Sequence, residues 1–209
     1  DIQETLLNVA LKDPENMKIS EDDIKIRVPL HKARASNVIL IDKSGSMRWR
    51  YKILGAISAA LGLRELLDSY YSEDQLWIVG YDQEPSVLGP GEIVNLRSYG
   101  WTDIGRALDF ARGILKGEEN NRNIFLLTDS EPTVSTEHQQ SPLESALRAA
   151  RLLGLDEIKL NIIMLDESPQ LRMISSQMAA LCGQASIAYV SDPLNLRDFV
   201  LESYIKGRA

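Results

Sequence analysis

The sequence predicts an α/β fold with three layers, α/β/α, and a doubly wound, mostly parallel sheet in the middle. Runs of consecutive apolar residues recur from about residue 36 onward, as is typical of parallel strands that are buried on both faces. Each run is followed by a segment whose apolar residues repeat at helical spacing. Repeated β–α units of this kind form a parallel sheet, and their crossovers place helices on both of its faces.

Six segments are the predicted strands, and five apolar stripes predict the helices between and after them. The strands are residues 38–41, 76–79, 85–88, 124–127, 160–165 and 187–190. Segment 85–88 is expected at the sheet edge, because it is short and is closed by the turn sequence Gly89-Pro90-Gly91. The stripes are Ile53, Leu54, Ile57 and Leu61; Ile104, Leu108, Ala111 and Leu115; Leu143, Ala146, Leu147 and Ala150; Leu171, Ile174, Met178 and Leu181; and Leu196, Phe199, Val200 and Tyr204.

The first 35 residues have a different pattern and predict an N-terminal extension that packs on the main domain, residues 36–209. Residues 2–11 have the pattern of a short helix, and residues 24–28 alternate in polarity like a half-exposed strand. Asp1 is not a methionine, so we expect the chain to be part of a longer protein.

The composition fits one large globular domain and narrows its function. The 209 residues are 44% hydrophobic, with a net charge of −7 and a pI near 5.0. This acidic balance, without a basic stripe, argues against nucleic-acid binding. The single cysteine, Cys182, excludes an internal disulfide and favours a reducing compartment, so we predict a cytoplasmic protein. No apolar run is long enough to span a bilayer, and no membrane association is predicted.

The most informative motif is Asp42-Lys43-Ser44-Gly45-Ser46, which follows the first predicted strand. It presents a carboxylate and two hydroxyls at alternate positions on a tight loop that leads into a helix. Such oxygen atoms are the ligands that Mg²⁺, Mn²⁺ and Ca²⁺ accept. The motif by itself supplies half of an oxygen-rich cation site.

Two later segments carry further oxygen atoms: Thr102 precedes a predicted helix, and Asp129 lies just past a predicted strand. The carboxyl ends of parallel strands lie at one edge of the sheet, where ligands of open α/β sheets bind. Asp42 and Asp129 are therefore expected to converge at that edge.

Each of these residues also has a simpler interpretation. Asp42, Ser44 and Ser46 have the residue types of helix caps. Thr102 alone fits a helix N-cap, and Asp129 alone fits a turn. These interpretations explain the residues one at a time, but not their joint occurrence.

The sequence favours a protein that is not an enzyme. A haloacid-dehalogenase-type phosphatase would carry aspartate where Ser44 stands, and the sequence has no nucleotide-binding glycine loop or serine-hydrolase motif. His31 and His138 belong to no recognisable triad and are expected at the surface. Cys182 lies on an apolar helix and is expected in the core. A metal-dependent phosphohydrolase is the less favoured alternative.

Taken in order, five residues resemble the metal-ion-dependent adhesion site (MIDAS) of von Willebrand factor A (VWA) domains: Asp42, Ser44, Ser46, Thr102 and Asp129. The resemblance implies a Rossmann-like fold with one antiparallel edge strand. It implies that the serines bind Mg²⁺, Mn²⁺ or Ca²⁺ directly, that the threonine does so when a ligand is engaged, and that the aspartates often act through water. Such an ion keeps an open position for an acidic side chain of a partner protein.

The segments 1–6 and 23–27, together with the Ser-Gly-Ser-Met form of the loop, resemble the VWA domain of magnesium-chelatase D-type subunits and of VWA proteins that work beside MoxR-type ATPases. This resemblance implies a non-catalytic, Mg²⁺-dependent interaction module in a cytoplasmic AAA+ ATPase or chelatase assembly. The implied partner is an AAA+ ATPase or chelatase subunit that offers an acidic residue. The alternative is an extracellular adhesion or scaffold VWA protein.

Three positions depart from the family pattern, namely Lys43, Trp101 and Ser130. Trp101, together with Arg48, Trp49 and Arg50, suggests a basic and aromatic partner-binding rim around the ion, to which Lys52 would add charge. The alternative is that Trp49 packs under the first helix and that the arginines are ordinary solvated charges.

Overall fold

The structure, a computed structural model, describes residues 34–136 and 139–208. The helix and strand predicted for the N-terminal extension lie outside the described residues, as do His31 and His138. The described strands are β1 Ala35–Asp42, β2 Gln75–Tyr81, β3 Ser86–Val87, β4 Asn121–Thr128, β5 Lys159–Met164 and β6 Ala185–Tyr189. The helices are α1 Lys52–Tyr70, α2 Pro90–Val94, α3 Ile104–Leu115, α4 Pro142–Leu155, α5 Pro169–Cys182 and α6 Leu196–Arg208, with 3₁₀ segments at Gly45–Tyr51 and Pro193–Asn195.

The strands form one sheet in the order β3-β2-β1-β4-β5-β6. Neighbouring strands are parallel, except that β3 runs antiparallel to β2 at the edge. The predicted fold class is therefore confirmed. From β1 the chain first builds the β2 side of the sheet and then returns to build the β4 side. The point at which the strand order reverses thus lies between β1 and β4, where ligands of such sheets bind.

Alternate residues of the central strands contribute to two apolar cores, one on each face of the sheet. Val38 and Leu40 belong to the core shared with α3, α4 and α5. Ile39 and Ile41 belong to the core shared with α1 and α6. All eight residues of β1 are buried. Because the strand is covered on both faces, its central residues 38–41 are a continuous apolar run, flanked by the buried polar residues Ser36, Asn37 and Asp42.

The predicted apolar face of α1 is wrong in part. Leu54 is 55% exposed and Leu61 is 36% exposed. The face that is buried is rich in glycine and alanine, and it packs closely against the 3₁₀ segment Pro193–Asn195 and against α6. A β-carbon on Gly55 would lie 2.4 Å from the carbonyl oxygen of Pro193. Hydrophobicity alone points to the large side chains, whereas close approach between the two elements requires small ones.

The other four predicted helices are found as α3, α4, α5 and α6. Cys182 is buried at the end of α5, as expected, although Leu181 beside it is 44% exposed. Within the described residues, no helix combines the length and apolarity that a membrane span requires.

Candidate metal centre

The first part of the site is the loop at the carboxyl end of β1. The buried carboxylate of Asp42 accepts hydrogen bonds from the Ser44 backbone N–H at 2.8 Å and from the Thr128 hydroxyl at 2.6 Å. The loop is held by neighbouring backbone. Lys43 N–H donates to the carbonyl of Tyr81 at 2.8 Å, and its own carbonyl accepts from the N–H of Tyr99 at 2.7 Å. The loop conformation is therefore held by hydrogen bonds within the protein itself.

The two serines of the loop connect this strand end to the end of β4. The hydroxyl oxygens of Ser44 and Ser46 lie 3.1 Å apart. Ser46 donates to Asp129 Oδ1 at 2.6 Å, across 83 residues of sequence. Asp129 is only 6% exposed. The two aspartates thus meet at the reversal of the strand order, as the topology predicts.

Thr102 joins the same cluster from the loop that precedes α3. Its hydroxyl lies 3.0 Å from that of Ser130, which in turn donates to Asp42 Oδ2 at 3.2 Å. The backbone N–H of Thr102 donates to the hydroxyl of Thr133 at 2.8 Å, which fixes the orientation of the residue. All five residues of the predicted site therefore belong to one hydrogen-bonded cluster, which also contains Thr128 and Ser130.

The capping interpretations do not describe these side chains. Ser44 precedes the 3₁₀ segment, but its side chain makes no capping hydrogen bond. Tyr51, not a residue of the Asp-x-Ser-x-Ser motif, is the N-cap of α1. The N-cap of α3 is Asp103, whose carboxylate accepts from Arg106 N–H at 2.9 Å, so the hydroxyl of Thr102 is left to the cluster.

The cluster is electrostatically suited to a cation. Burial raises the pKa of Asp42 from the ordinary value of 3.8 to about 6, against the opposing effect of the hydrogen bonds from Thr128 and Ser44. Burial, and then the charge of Asp42, also raise the pKa of Tyr81, the register neighbour of Asp42 on β2. The Tyr81 hydroxyl is buried and makes no hydrogen bond of standard geometry within the described residues. A positive ion would relieve this burial of negative charge.

The residue types also fit a hard divalent cation. Two carboxylates and three hydroxyls offer only oxygen, which Mg²⁺, Mn²⁺ and Ca²⁺ accept and which softer metals do not favour. Among the described residues no group of three or more His, Cys, Asp or Glu side chains could hold a metal. Hydroxyls therefore have to supply a large part of any coordination here.

A buried lysine that the sequence pattern did not predict as part of this site contacts Asp129. Lys52 is 6% exposed, and its Nζ lies 2.8 Å from Asp129 Oδ2 and 3.1 Å from Asp166 Oδ2. Lys52 had been expected in the exposed rim because it follows Arg48 and Arg50 in the sequence. A signal for Asp166 was present, since it follows the apolar run at 160–165 just as Asp42 follows 38–41.

Comparisons with known proteins identify the family of the chain. Residues 35–205 match the model of the family described as Rv0959-like protein, vWA domain. The chain belongs to this family of vWA-domain proteins. A comparison with curated proteins gave no match.

Solved structures of other proteins share the fold at low sequence identity. The PilB minor pilin from Streptococcus sanguinis is 14% identical, with a TM-score of 0.67 over 89% of this chain and 63% of the pilin chain. The vWF domain of the type V pili tip protein Mfa5 from Porphyromonas gingivalis is 12% identical, with a TM-score of 0.61 over 85% of this chain and 97% of that domain. The manganese-loaded TRAP protein from Plasmodium vivax is 18% identical, with a TM-score of 0.54 over 81% of this chain and 74% of that chain.

Exposed aromatic side chains stand on the two loops of the vWA domain that carry Ser44, Ser46 and Thr102. Trp49 is 74% exposed and Trp101 is 59% exposed, so the alternative in which Trp49 packs under α1 is wrong. Tyr51 and Tyr99, which are also largely exposed, lie on the same two loops. These loops are joined by the hydrogen bond from Gly45 N–H to the carbonyl of Gly100, at 3.3 Å.

The backbone itself turns the first of these loops outward. Arg50 and Tyr51 have positive φ angles of 52° and 60°, a left-handed conformation that residues other than glycine seldom adopt. Arg48, Trp49, Arg50 and Tyr51 are all exposed, whereas Met47 before them and Lys52 after them are buried. The strained turn therefore lies between the exposed residues 48–51 and the buried Lys52 that follows them.

Proposed function

We propose that this vWA domain is a non-catalytic, divalent-cation-dependent protein-interaction module that binds an acidic side chain of a partner protein. VWA proteins are known in protein–protein interaction and adhesion. One observation supports the proposal that the interaction depends on a divalent cation. Oxygen atoms from three separate segments of the chain meet in one buried, hydrogen-bonded cluster at the edge of the sheet.

In this proposal Ser44, Ser46 and Thr102 hold the ion, and Asp42 and Asp129 orient the hydroxyls and balance its charge. When bound, Mg²⁺ or Mn²⁺ supplies a positive centre with an open position that attracts a carboxylate. The chain's part is to fix the donors. The Ser46 hydroxyl is held by Asp129, and the Thr102 backbone is held by Thr133.

The test is thermal unfolding of the wild-type protein and of Ser44→Ala/Ser46→Ala, in EDTA and then with millimolar Mg²⁺ or Mn²⁺. An ion at about 100 times its dissociation constant stabilises the native state by about 2.7 kcal/mol, which raises the unfolding midpoint measurably. We expect this rise in the wild type and not in the double variant. Equal responses of the two proteins would remove the serines from the proposal.

We propose further that the exposed residues Arg48, Trp49, Arg50 and Trp101 form a rim that contacts the partner around the metal-bound carboxylate. The support is charge complementarity. The protein carries a net charge of −7, yet two arginines stand exposed in the loop that continues from the two serines. Tryptophan and arginine are also the residues that most often dominate binding energy at interfaces. The rim therefore suits an acidic segment rather than a basic one.

A binding experiment with a glutamate-rich peptide tests the rim. The peptide is titrated into the wild type and into Arg48→Ala/Arg50→Ala in saturating Mn²⁺, and binding is monitored by tryptophan fluorescence. The double variant is expected to bind the peptide more weakly while its Mn²⁺ affinity stays unchanged. Lys116→Ala/Arg151→Ala is the matched control, because it removes two exposed positive charges from α4 and from the C-cap of α3. If this control weakens binding as much as the rim variant, net charge and not the rim is responsible.

The partner class that we propose is an AAA+ ATPase or chelatase subunit in the cytoplasm. The support is the resemblance of the Ser44-Gly45-Ser46-Met47 loop and of segments 1–6 and 23–27 to such VWA subunits. The full-length sequence distinguishes this assignment from an extracellular adhesion protein. An AAA+ region on the same chain would favour the first, and a secretion signal would favour the second. Phosphatase assays with Mg²⁺ on the wild type and Asp42→Ala address the phosphohydrolase alternative.

A further inference from the structure

We propose that Lys52 is a built-in counter-cation that weakens the binding of a divalent ion to this site and so makes retention of the ion depend on the partner's carboxylate. The inference rests on the proposed function and adds to it how the ion is controlled. It concerns a side chain that the family pattern of metal ligands does not include.

The ammonium group of Lys52 lies directly against one carboxylate of the candidate site. Lys52 Nζ lies 2.8 Å from Asp129 Oδ2, and Ser46 donates to the other oxygen of the same carboxylate at 2.6 Å. Both oxygens of Asp129 are therefore engaged by this chain. One of the two carboxylates expected to balance the ion is already balanced by a positive charge.

The ammonium group of Lys52 is held in place by its helix and by two carboxylates. Lys52 is the first residue of α1, only 6% exposed, and it follows directly on the turn with positive φ angles at Arg50 and Tyr51. Asp166 at the end of β5 provides a second carboxylate at 3.1 Å. An exposed lysine would swing into water when a divalent ion arrives. This lysine is buried between two carboxylates and stays beside the site.

The buried charges at the site do not fully balance a divalent ion. With Lys52 in place, the buried carboxylates of Asp42 and Asp129 together present one net negative charge to an ion that carries two positive charges. Asp166 is left out of this sum, because its side chain is 58% exposed and its charge is screened by water. The ion and the ammonium then leave the site with excess positive charge, which an incoming carboxylate neutralises. Ion and carboxylate therefore bind with positive coupling, each raising the affinity for the other.

The experiment measures Mn²⁺ binding by titration calorimetry and by the Mn²⁺-induced rise in the unfolding midpoint. The proteins are the wild type, Lys52→Met, Lys52→Gln and Lys116→Met. Methionine keeps the shape of the side chain, and glutamine keeps a hydrogen-bond donor, so that at least one variant is expected to fold. Lys116→Met removes the same charge from an exposed position at the C-cap of α3.

We expect the Lys52 variants to bind Mn²⁺ alone at least tenfold more tightly than the wild type, and Lys116→Met to match the wild type. Adding the glutamate-rich peptide should raise the Mn²⁺ affinity of the wild type more than that of the Lys52 variants. Equal Mn²⁺ affinity in all four proteins would overturn the role of Lys52 and leave the proposed function standing. No Mn²⁺ binding in any of them would overturn both.

Discussion

Replacing Asp42 with asparagine removes a negative charge that the fold buries completely. Asp42 is 0% exposed and accepts hydrogen bonds from Ser44, Thr128 and Ser130. Despite these donors, burial raises its pKa from 3.8 to about 6. We therefore expect Asp42→Asn to be more stable than the wild type in the absence of metal at neutral pH, although it removes a residue of the candidate site.

The size of the effect follows from the pKa. At 1.36 kcal/mol per pKa unit, the difference between 3.8 and about 6 corresponds to about 3 kcal/mol. Below about pH 4 the carboxyl is protonated in both states and has no effect on stability. Between about 4 and about 6 the unfolded chain ionises first, so stability falls as the pH rises through this range. Above about pH 6 the buried carboxylate is ionised, and the folded protein loses the full amount of about 3 kcal/mol of stability.

The assay is urea unfolding in EDTA at roughly pH 3, well below the ordinary pKa of 3.8, and at about pH 8, with Asp42→Asn and the wild type compared at each pH. The difference between the two proteins isolates Asp42, because the other carboxylates titrate in both. It should be near zero at the lower pH and approach 3 kcal/mol in favour of Asp42→Asn at the higher pH, less the cost of rearranged hydroxyl donors. Saturating Mg²⁺ should narrow the difference by stabilising only the wild type.

A matched control is Asp103→Asn, since Asp103 is 1% exposed but caps α3 and accepts from Arg106 N–H and from the N–H and hydroxyl of Thr136. This substitution removes charge-assisted hydrogen bonds from a cap and should destabilise the protein at neutral pH. The reasoning is refuted if Asp42→Asn is also less stable than the wild type at the higher pH. In that case the hydrogen bonds would outweigh the cost of burial.

Two further predictions concern the packing of α3 and the cap of α4. Gly105→Ala should destabilise the protein by about 1–3 kcal/mol, because a β-carbon there would lie 2.1 Å from Ser145 Oγ. Gly113→Ala in the same helix meets nothing within 4 Å and should stabilise the protein by about 0.5–1 kcal/mol. Urea unfolding of both variants checks the pair, and similar effects of the two substitutions would contradict it. Ser141→Ala should cost about 1 kcal/mol, because Ser141 caps α4 in a reciprocal arrangement with Glu144; a smaller loss, measured in the same way, would show that Pro142 alone is enough to start the helix.

Much of the fold could be predicted because its determinants are local. The strands of a sheet covered on both faces are continuous apolar runs, and these marked β1, β4 and β5 without any knowledge of their neighbours. Helix α3 has an apolar stripe at Ile104, Leu108, Ala111 and Leu115, and all four are buried. Helix α1 was harder. Its buried face combines large residues such as Ile57 and Leu63 with Gly55 and several alanines that permit close approach to Pro193, and hydrophobicity marks only the large ones.

Some residues of the candidate site could likewise be predicted from the sequence, and others could not. Asp42 and Asp129 could be predicted to meet because parallel strands end at a common edge of the sheet. The hydroxyls of Ser44 and Ser46 followed from their spacing on one loop. Thr128 and Ser130 could not be predicted as donors to Asp42, because the register between β1 and β4 and the twist of the sheet decide which side chains at the end of β4 reach the carboxylate on the neighbouring strand.

The sequence by itself determined the α/β architecture, the edge of the sheet that carries the site, and the oxygen-rich chemistry of that site. These depend on residue type and spacing over a few positions. Only the tertiary structure decided that Arg48 and Arg50 point to solvent while Lys52, from the same basic stretch, is buried against Asp129. The physical reason is that this choice depends on a strained turn and on carboxylates supplied by the ends of β4 and β5, which lie 77 and 114 residues further along the chain.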